Sequence, residues 1–171
     1  NVIYNEIFLG PHLWSDRPND RWERFINIAC NVADEYEKKY GIYTYFIIVC
    51  IRHLGPEKAL EASRFASQVQ DKNVVGFGMA GDETKFNTLD FMRSFDSAKI
   101  SGLGTTAHAG EICGAKSVDE AIKLGVTRIG HGVRSCESEE TIINLAKENI
   151  LLEVCPGSNI ALGLYSSLDD H

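Results

Sequence analysis

In the stretch Thr105-Thr106-Ala107-His108-Ala109-Gly110-Glu111, an imidazole precedes a carboxylate by three residues, at the end of a Gly- and Thr-rich run. An imidazole nitrogen is a good zinc ligand, and a nearby carboxylate that does not bind the metal can take a proton from activated water and pass it on. The pair therefore suits metal-bound, base-assisted hydrolysis, with His108 the ligand and Glu111 the proton carrier. Alone, this spacing arises often by chance, and the plain alternative is an ordinary loop. Two further stretches change that weighting. His131 stands between glycines in Arg128-Ile129-Gly130-His131-Gly132, where bare backbone allows a ligand or water to approach closely. Glu153 lies inside the apolar run Leu152-Glu153-Val154-Cys155, and a carboxylate in such a run needs a partner. That partner is either His131, whose tautomer it would then fix, or a helix Lys or Arg on the other face; both readings stand. Asp82-Glu83 reads as a cap for the helix that follows, Cys155-Pro156-Gly157-Ser158-Asn159 as a turn, and His12 and His53 as structural histidines.

The elements that must position these residues alternate. Val2 to Leu9, Tyr43 to Ile51, Asn73 to Ala80, Leu103 to His108, Arg128 to His131 and Ile150 to Cys155 read as strands, from β-branched, aromatic or continuously apolar runs. Between them, helical spacing of apolar residues predicts helices over 20–39, 56–69, 85–99, 118–124 and 137–149, the last burying Ile142, Ile143, Leu145 and Ala146. Strands joined through helices are most economically parallel with right-handed crossovers. The class is α/β. Arg52-His53, Gly81-Asp82-Glu83, His108, His131 and Ser158-Asn159 all fall at C-terminal strand ends, which a barrel gathers onto one mouth. Gly76-Phe77-Gly78-Met79-Ala80-Gly81 spells a dinucleotide-binding turn but lies within a strand instead of opening a helix, so it reads as barrel-strand glycine.

Composition narrows the class of function. At 171 residues, 44% hydrophobic and 24% charged, the chain suits one globular domain spanning 1–171, with no composition shift to divide it. A net charge of -7 argues against nucleic acid and for a small-molecule substrate. Five widely spaced cysteines without a Cys-x-x-Cys indicate neither a disulfide framework nor a cysteine zinc site, and fit reduced, cytoplasmic thiols. No apolar run reaches membrane-span length, and the first residues lack the basic start of a signal peptide. The chain opens without Met, directly in an apolar run, and so is expected to be incomplete.

Taken together, His108-Ala109-Gly110-Glu111, Arg128-Ile129-Gly130-His131-Gly132 and Leu152-Glu153-Val154-Cys155-Pro156-Gly157-Ser158-Asn159 resemble the adenosine deaminase family, in its bacterial form. Ala80-Gly81-Asp82-Glu83 is similar to that family's substrate-binding glycine segment, and the likeness covers essentially the whole chain. The resemblance implies a zinc-dependent (β/α)8 TIM barrel, of which this chain covers about strands two to seven. It implies conversion of adenosine and water to inosine and ammonia, a step of purine salvage. His108 would be a zinc ligand, and Glu111 would deliver a proton to ring N1 of the purine nucleoside. His131 would stabilise the attacking hydroxide, and the Gly81 backbone N–H would hold a ring nitrogen. The family's His-x-His and last-strand Asp-Asp are not found among His12, His53, His108, His131, His171 and Asp169-Asp170. Residues 1–171 alone are therefore expected to bind little Zn2+ and to lack activity. Adenine or an adenine nucleotide is the alternative substrate, and a non-catalytic barrel segment the alternative of another class. Cytidine-type deaminases are excluded, since neither His-x-Glu nor Pro-Cys-x-x-Cys occurs.

Overall fold

The longest apolar run, Tyr43–Ile51, is the second strand of a six-stranded sheet in the computed structural model, which describes residues 2–14 and 20–170. His171 lies outside the described residues. The strands are β1 (Tyr4–Leu9), β2 (Tyr43–Ile51), β3 (Val74–Ala80), β4 (Gly104–Ala109), β5 (Arg128–His131) and β6 (Leu151–Glu153). Each pairs in parallel with the next, in the order of the chain. The helices are α1 (Asp20–Tyr40), α2 (Pro56–Gln68), α3 (Met92–Ile100), α4 (Ala115–Lys123), α5 (Glu139–Lys147) and α6 (Pro156–Ala161).

A doubly wound sheet reverses its strand order at a switch point, and this one does not. It also curls. In a flat sheet β1 and β5 would lie roughly 19 Å apart, four strand spacings. Arg128 on β5 nevertheless reaches Glu6 on β1 at 2.6 Å, and the Phe8 and His108 rings, on β1 and β4, have centroids 6.1 Å apart. Those side chains meet across a concave interior, so the architecture is a curled half-barrel.

Period-two alternation sorts the strands. On β2 and β3, Phe46, Ile48, Cys50, Phe77 and Met79 face the helices, with Phe77 edge-on to Phe95 of α3 at 5.3 Å. Ile47 and Val49 turn inward, and a Cβ placed on Gly78 would lie 3.0 Å from Val49 and from Thr106. The glycines of β3 thus leave room for neighbouring interior side chains, as expected of barrel-strand glycine.

Three elements depart from the sequence reading. The helix expected from Lys85 starts later: a 3-10 turn, Thr88–Phe91, leads into α3, because Asn87 accepts the Leu89 N–H and Asp90 accepts the Asn87 N–H. Ile142 and Ile143 are 47% and 57% exposed instead of buried. Helix α5 packs through Thr141 and Leu145, with the Thr141 hydroxyl donating to Asp119 of α4, which turns those two isoleucines outward. The segment after β6 is a short helix, α6, where Pro at its first turn and the Cys155 carbonyl accepting the Asn159 N–H make helix out of an expected turn.

Candidate active site

His108 is the last inward-facing residue of β4, paired in register with Gly130 of β5. A Cβ on Gly130 would stand 2.9 Å from His108 Nδ1, so this glycine makes room for the imidazole. The neighbouring Gly132 has φ +66°, and a Cβ there would meet Leu152 at 2.7 Å. The paired glycines expected to admit a ligand thus accommodate protein side chains. Burial, and then the adjacent His131, push His108 down to about 4, which leaves it neutral with a lone pair available near neutral pH. Its Nδ1 is buried with no hydrogen-bond partner.

His131 ends β5 with φ 65°, a left-handed conformation that costs a non-glycine residue roughly 1 kcal/mol or more. Three contacts hold it there. The Gly132 N–H donates to the Ala109 carbonyl at 2.9 Å, Asn159 Oδ1 lies 2.8 Å from Nδ1, and Glu111 Oε1 lies 3.4 Å from Nε2. The His108 and His131 ring centroids are 5.0 Å apart. The structure therefore brings His108, Glu111 and His131 together at one end of the sheet. With the Asn159 carbonyl oxygen toward Nδ1, that nitrogen is the ring's donor, and Nε2 is the nitrogen that faces the Glu111 carboxylate.

Glu153 is elsewhere. Its carboxylate accepts from the Thr106 hydroxyl at 3.1 Å and pairs with Arg128 at 3.1 Å. Neither of the two expected partners is met: His131 is held by Asn159 of α6, and the arginine that pairs with Glu153 is Arg128 of the adjacent strand, one layer below His108 in the interior, instead of a helix residue on the outer face. Gly81, just after β3, has φ +101°, a conformation that favours glycine; a Cβ there would meet His53 Nδ1 at 3.1 Å and Ile51 at 3.3 Å. His12 is buried against Trp22 and pairs with Glu61 at 3.2 Å, a structural role.

Two buried charges beneath the site were placed on the barrel mouth by the sequence reading without a role of their own, Arg52 as a strand-end residue and Glu83 as a helix cap. Arg52, 2% exposed, donates to the carbonyls of Glu83 and His108 at 3.2 Å and to the Thr88 hydroxyl at 3.3 Å, joining the ends of β2, β3 and β4. Burial pulls the guanidinium down from its ordinary value, and the Glu83 charge opposes that shift. Glu83, also 2% exposed, accepts the backbone N–H groups of Gly110, Glu111, Ile112 and Cys113 at 2.5, 3.1, 2.6 and 2.8 Å, and the Ser117 hydroxyl. The one available signal was an ionisable residue directly after an apolar strand, which looks the same in a helix cap. Ser117, expected to introduce α4, lies inside it, where its hydroxyl donates to Glu83. Asn159 gave no signal beyond its place in a Pro-Gly segment.

A curled parallel half-barrel with imidazole and carboxylate side chains at its C-terminal strand ends has its polar side chains where barrel enzymes carry their active sites. The family model described as adenosine deaminase matches residues 1–171, and the chain belongs to that family. An adenine deaminase of Agrobacterium fabrum is 40% identical over 172 residues, covering 100% of this chain and 53% of that protein. One of Mesorhizobium japonicum is 44% identical over 171 residues, covering 99% and 52%. Among solved structures, the adenine deaminase of Arthrobacter aurescens superposes with a TM-score of 0.90 at 30% identity, covering 99% of this chain and 52% of that one. The chain spans about half the length of the curated relatives it matches.

Proposed function

We propose that the full-length protein is a zinc-dependent hydrolytic deaminase of a 6-aminopurine, with free adenine its preferred substrate. The observation that carries the chemistry is the convergence of Glu111 and His131 at 3.4 Å beside His108, a neutral imidazole whose buried Nδ1 makes no hydrogen bond. The choice of adenine over adenosine, the substrate expected from the sequence, is supported by relatives at 40% and 44% identity that are adenine deaminases.

His108 fits one ligand position of a zinc ion, since a buried imidazole nitrogen without a partner is a donor held ready. Among the described residues no three His, Cys, Asp or Glu side chains gather as a ligand set. In a protein as long as the relatives, the remaining ligands would come from outside residues 1–171. Bound zinc supplies Lewis acidity that makes water nucleophilic at neutral pH. Glu111 takes the proton released as water attacks C6 and delivers it to a ring nitrogen, drawing electron density from the carbon under attack. Glu111 and His131 together hold that proton between steps, and the imidazole of His131, fixed by Asn159, hydrogen-bonds the attacking oxygen as charge develops. The Gly81 backbone, free of a side chain, holds an edge of the ring. The second proton of the water, left on the C6 hydroxyl, passes to the amino nitrogen, and ammonia leaves as the C6–N bond breaks and the C6=O bond forms.

The test is ammonia release by the zinc-loaded, full-length protein from adenine, adenosine and AMP. Adenine is expected to be turned over with a kcat/KM at least about 10-fold above adenosine, a difference of about 1.4 kcal/mol in transition-state binding. Preference for adenosine would restore the nucleoside reading, and release from none of the three would overturn the deaminase assignment.

A further inference from the structure

We infer that Glu83 is a positioning residue for the proton-transfer group: its buried carboxylate, clamped by four consecutive backbone N–H groups and the Ser117 hydroxyl, fixes the Gly110–Cys113 loop and with it the direction of the Glu111 side chain. The inference rests on the proposed role of Glu111.

Loop 110–113 begins at a left-handed glycine, Gly110 with φ +67°, so four successive amide groups curl around one point instead of pointing along a strand. Donors converging this way form an anion-binding concavity. In this protein a protein carboxylate fills it. Glu83 lies three residues beyond the end of β3, the strand beside β4, and accepts from Gly110, Glu111, Ile112 and Cys113 within 2.5 to 3.1 Å. An ionised carboxylate is an acceptor only, which suits a ring of donors. Charge-assisted hydrogen bonds of this kind are roughly twice as strong as neutral ones. The loop's outer side is pinned separately, since the Arg134 N–H donates to the Gly110 carbonyl at 3.0 Å and its guanidinium to the Ile112 carbonyl.

What the clamp controls is the Glu111 backbone. The Glu111 N–H is one of the four donors, and the Glu111 carboxylate stands 3.4 Å from His131. If loop 110–113 relaxed by about 1 Å, the carboxylate would move out of reach of both His131 and the reacting water, and a misplacement of that size can cost about 100-fold in rate. Arg52 completes the frame by holding the Glu83 and His108 carbonyls together, so the supports of the metal ligand and of the proton carrier share one guanidinium.

Gln is the isostere of Glu, but its amide NH2 would have to face N–H donors, whereas Asp keeps the charge and loses one methylene of reach. Activity should therefore fall in the order wild type, Glu83→Asp, Glu83→Gln. In the zinc-loaded full-length protein, kcat per folded, metal-containing molecule is expected to drop about 100-fold in Glu83→Gln and about 10-fold in Glu83→Asp. Zinc content and the inhibition constant of the product purine should stay within about twofold. Amide hydrogen exchange at Gly110 to Cys113 should accelerate in the same order. A carboxylate that only stabilises the fold would lower the melting temperature and the folded yield, yet leave kcat per folded molecule unchanged; that result overturns the inference. So does Glu83→Gln matching wild type, or exchange at 110–113 that does not change. Should the wild-type protein release no ammonia, the deaminase reading fails alone, and the exchange measurement still decides whether Glu83 clamps the loop. Should Glu83→Gln not fold, Glu83→Asp and Ser117→Ala carry the same comparison, with Ser117→Ala, which removes one donor of five, the mildest.

Discussion

On the concave side of the sheet, two polar clusters lie one layer apart, and their wiring differs. In the lower layer Arg128 is flanked by Glu6 at 2.6 Å and Glu153 at 3.1 Å, with Thr106 donating to Glu153 and Tyr4 donating to Glu6. Each charge there meets an opposite charge, although Glu6 Oε2, like His108 Nδ1, makes no hydrogen bond; what sets the lower layer apart is its ordinary strand backbone. In the upper layer His108 Nδ1 has no partner, His131 and Gly132 are both left-handed, and Glu111 and His131 face each other at 3.4 Å. The lower cluster ties strands four apart across the interior; the upper one leaves capacity unspent. Buried groups left partly unsatisfied, on a backbone held in sparse conformations, mark sites where binding or chemistry completes the set. By that criterion the same interior contains a structural layer and a reactive layer, and substitutions should separate them.

The sharpest separation is Glu111→Gln in the full-length protein. It keeps the side-chain volume and removes the proton acceptor, so kcat should fall by about 1,000-fold, within the range expected for a general acid-base group. Zinc content should be unchanged. Steady-state kinetics with parallel metal analysis checks both, and an active variant would place the proton carrier elsewhere. Arg52→Met tests the support under that layer. It leaves the Glu83 and His108 carbonyls without their shared donor and the Glu83 carboxylate without the nearby guanidinium, and breaking a buried charge arrangement of this kind costs about 3 kcal/mol. The midpoint of chemical denaturation should fall accordingly, and a loss under about 1 kcal/mol would mean that the strand ends are held by packing alone.

Much of the framework was legible in the residues themselves. The continuous apolar run Tyr43–Ile51 could be buried only on both faces, and the short β5 from Arg128 to His131 was found with the same bounds, because glycine and charge punctuate it on each side. That His108, Glu111 and His131 meet at one end of the sheet was legible, because they fall in two short motifs at the ends of adjacent strands. Glu83 and Asn159 were not, since each acts 28 residues or so away in sequence, on a backbone loop and on a ring, and nothing in a carboxylate after a strand or an asparagine after Pro-Gly reveals which distant groups will meet it. Glu153 failed for a related reason. An inward carboxylate on β6 has both His131 and Arg128 on the adjacent strand, and only the three-dimensional layering decides between them. Ile142 and Ile143 show the limit of periodicity: the arc they share with Leu145 and Ala146 reads as a packing face, but α5 buries Thr141 and Leu145 and leaves both isoleucines exposed.

Within the reactive layer, His131→Ala should lower kcat by about 100-fold while zinc stays near its wild-type content, because a group that hydrogen-bonds the attacking oxygen acts chiefly in the transition state. Loss of zinc together with activity would make His131 a ligand. Asn159→Ala should reproduce a part of this effect, about 10-fold, by freeing the imidazole that its side chain holds at 2.8 Å.

The smallest expected effect belongs to Glu153→Gln, and it separates the two layers most directly. Gln keeps an acceptor for the Thr106 hydroxyl and fills the same volume, while Arg128 keeps its 2.6 Å contact with Glu6. The Arg128 and Glu153 side chains are 30% and 22% exposed, so solvent screens what their pairing contributes, and stability should change by no more than about 1 kcal/mol. Turnover should not change, since the His131 ring takes its orientation from Asn159. Denaturation midpoints and kcat measured on Glu153→Gln and Asn159→Ala side by side decide the matter: Asn159→Ala should lose rate with Glu153→Gln unaffected. If Glu153→Gln instead lost as much kcat as Asn159→Ala, the carboxylate would be coupled to His131 after all, and the lower layer would have to be counted as part of the reactive one.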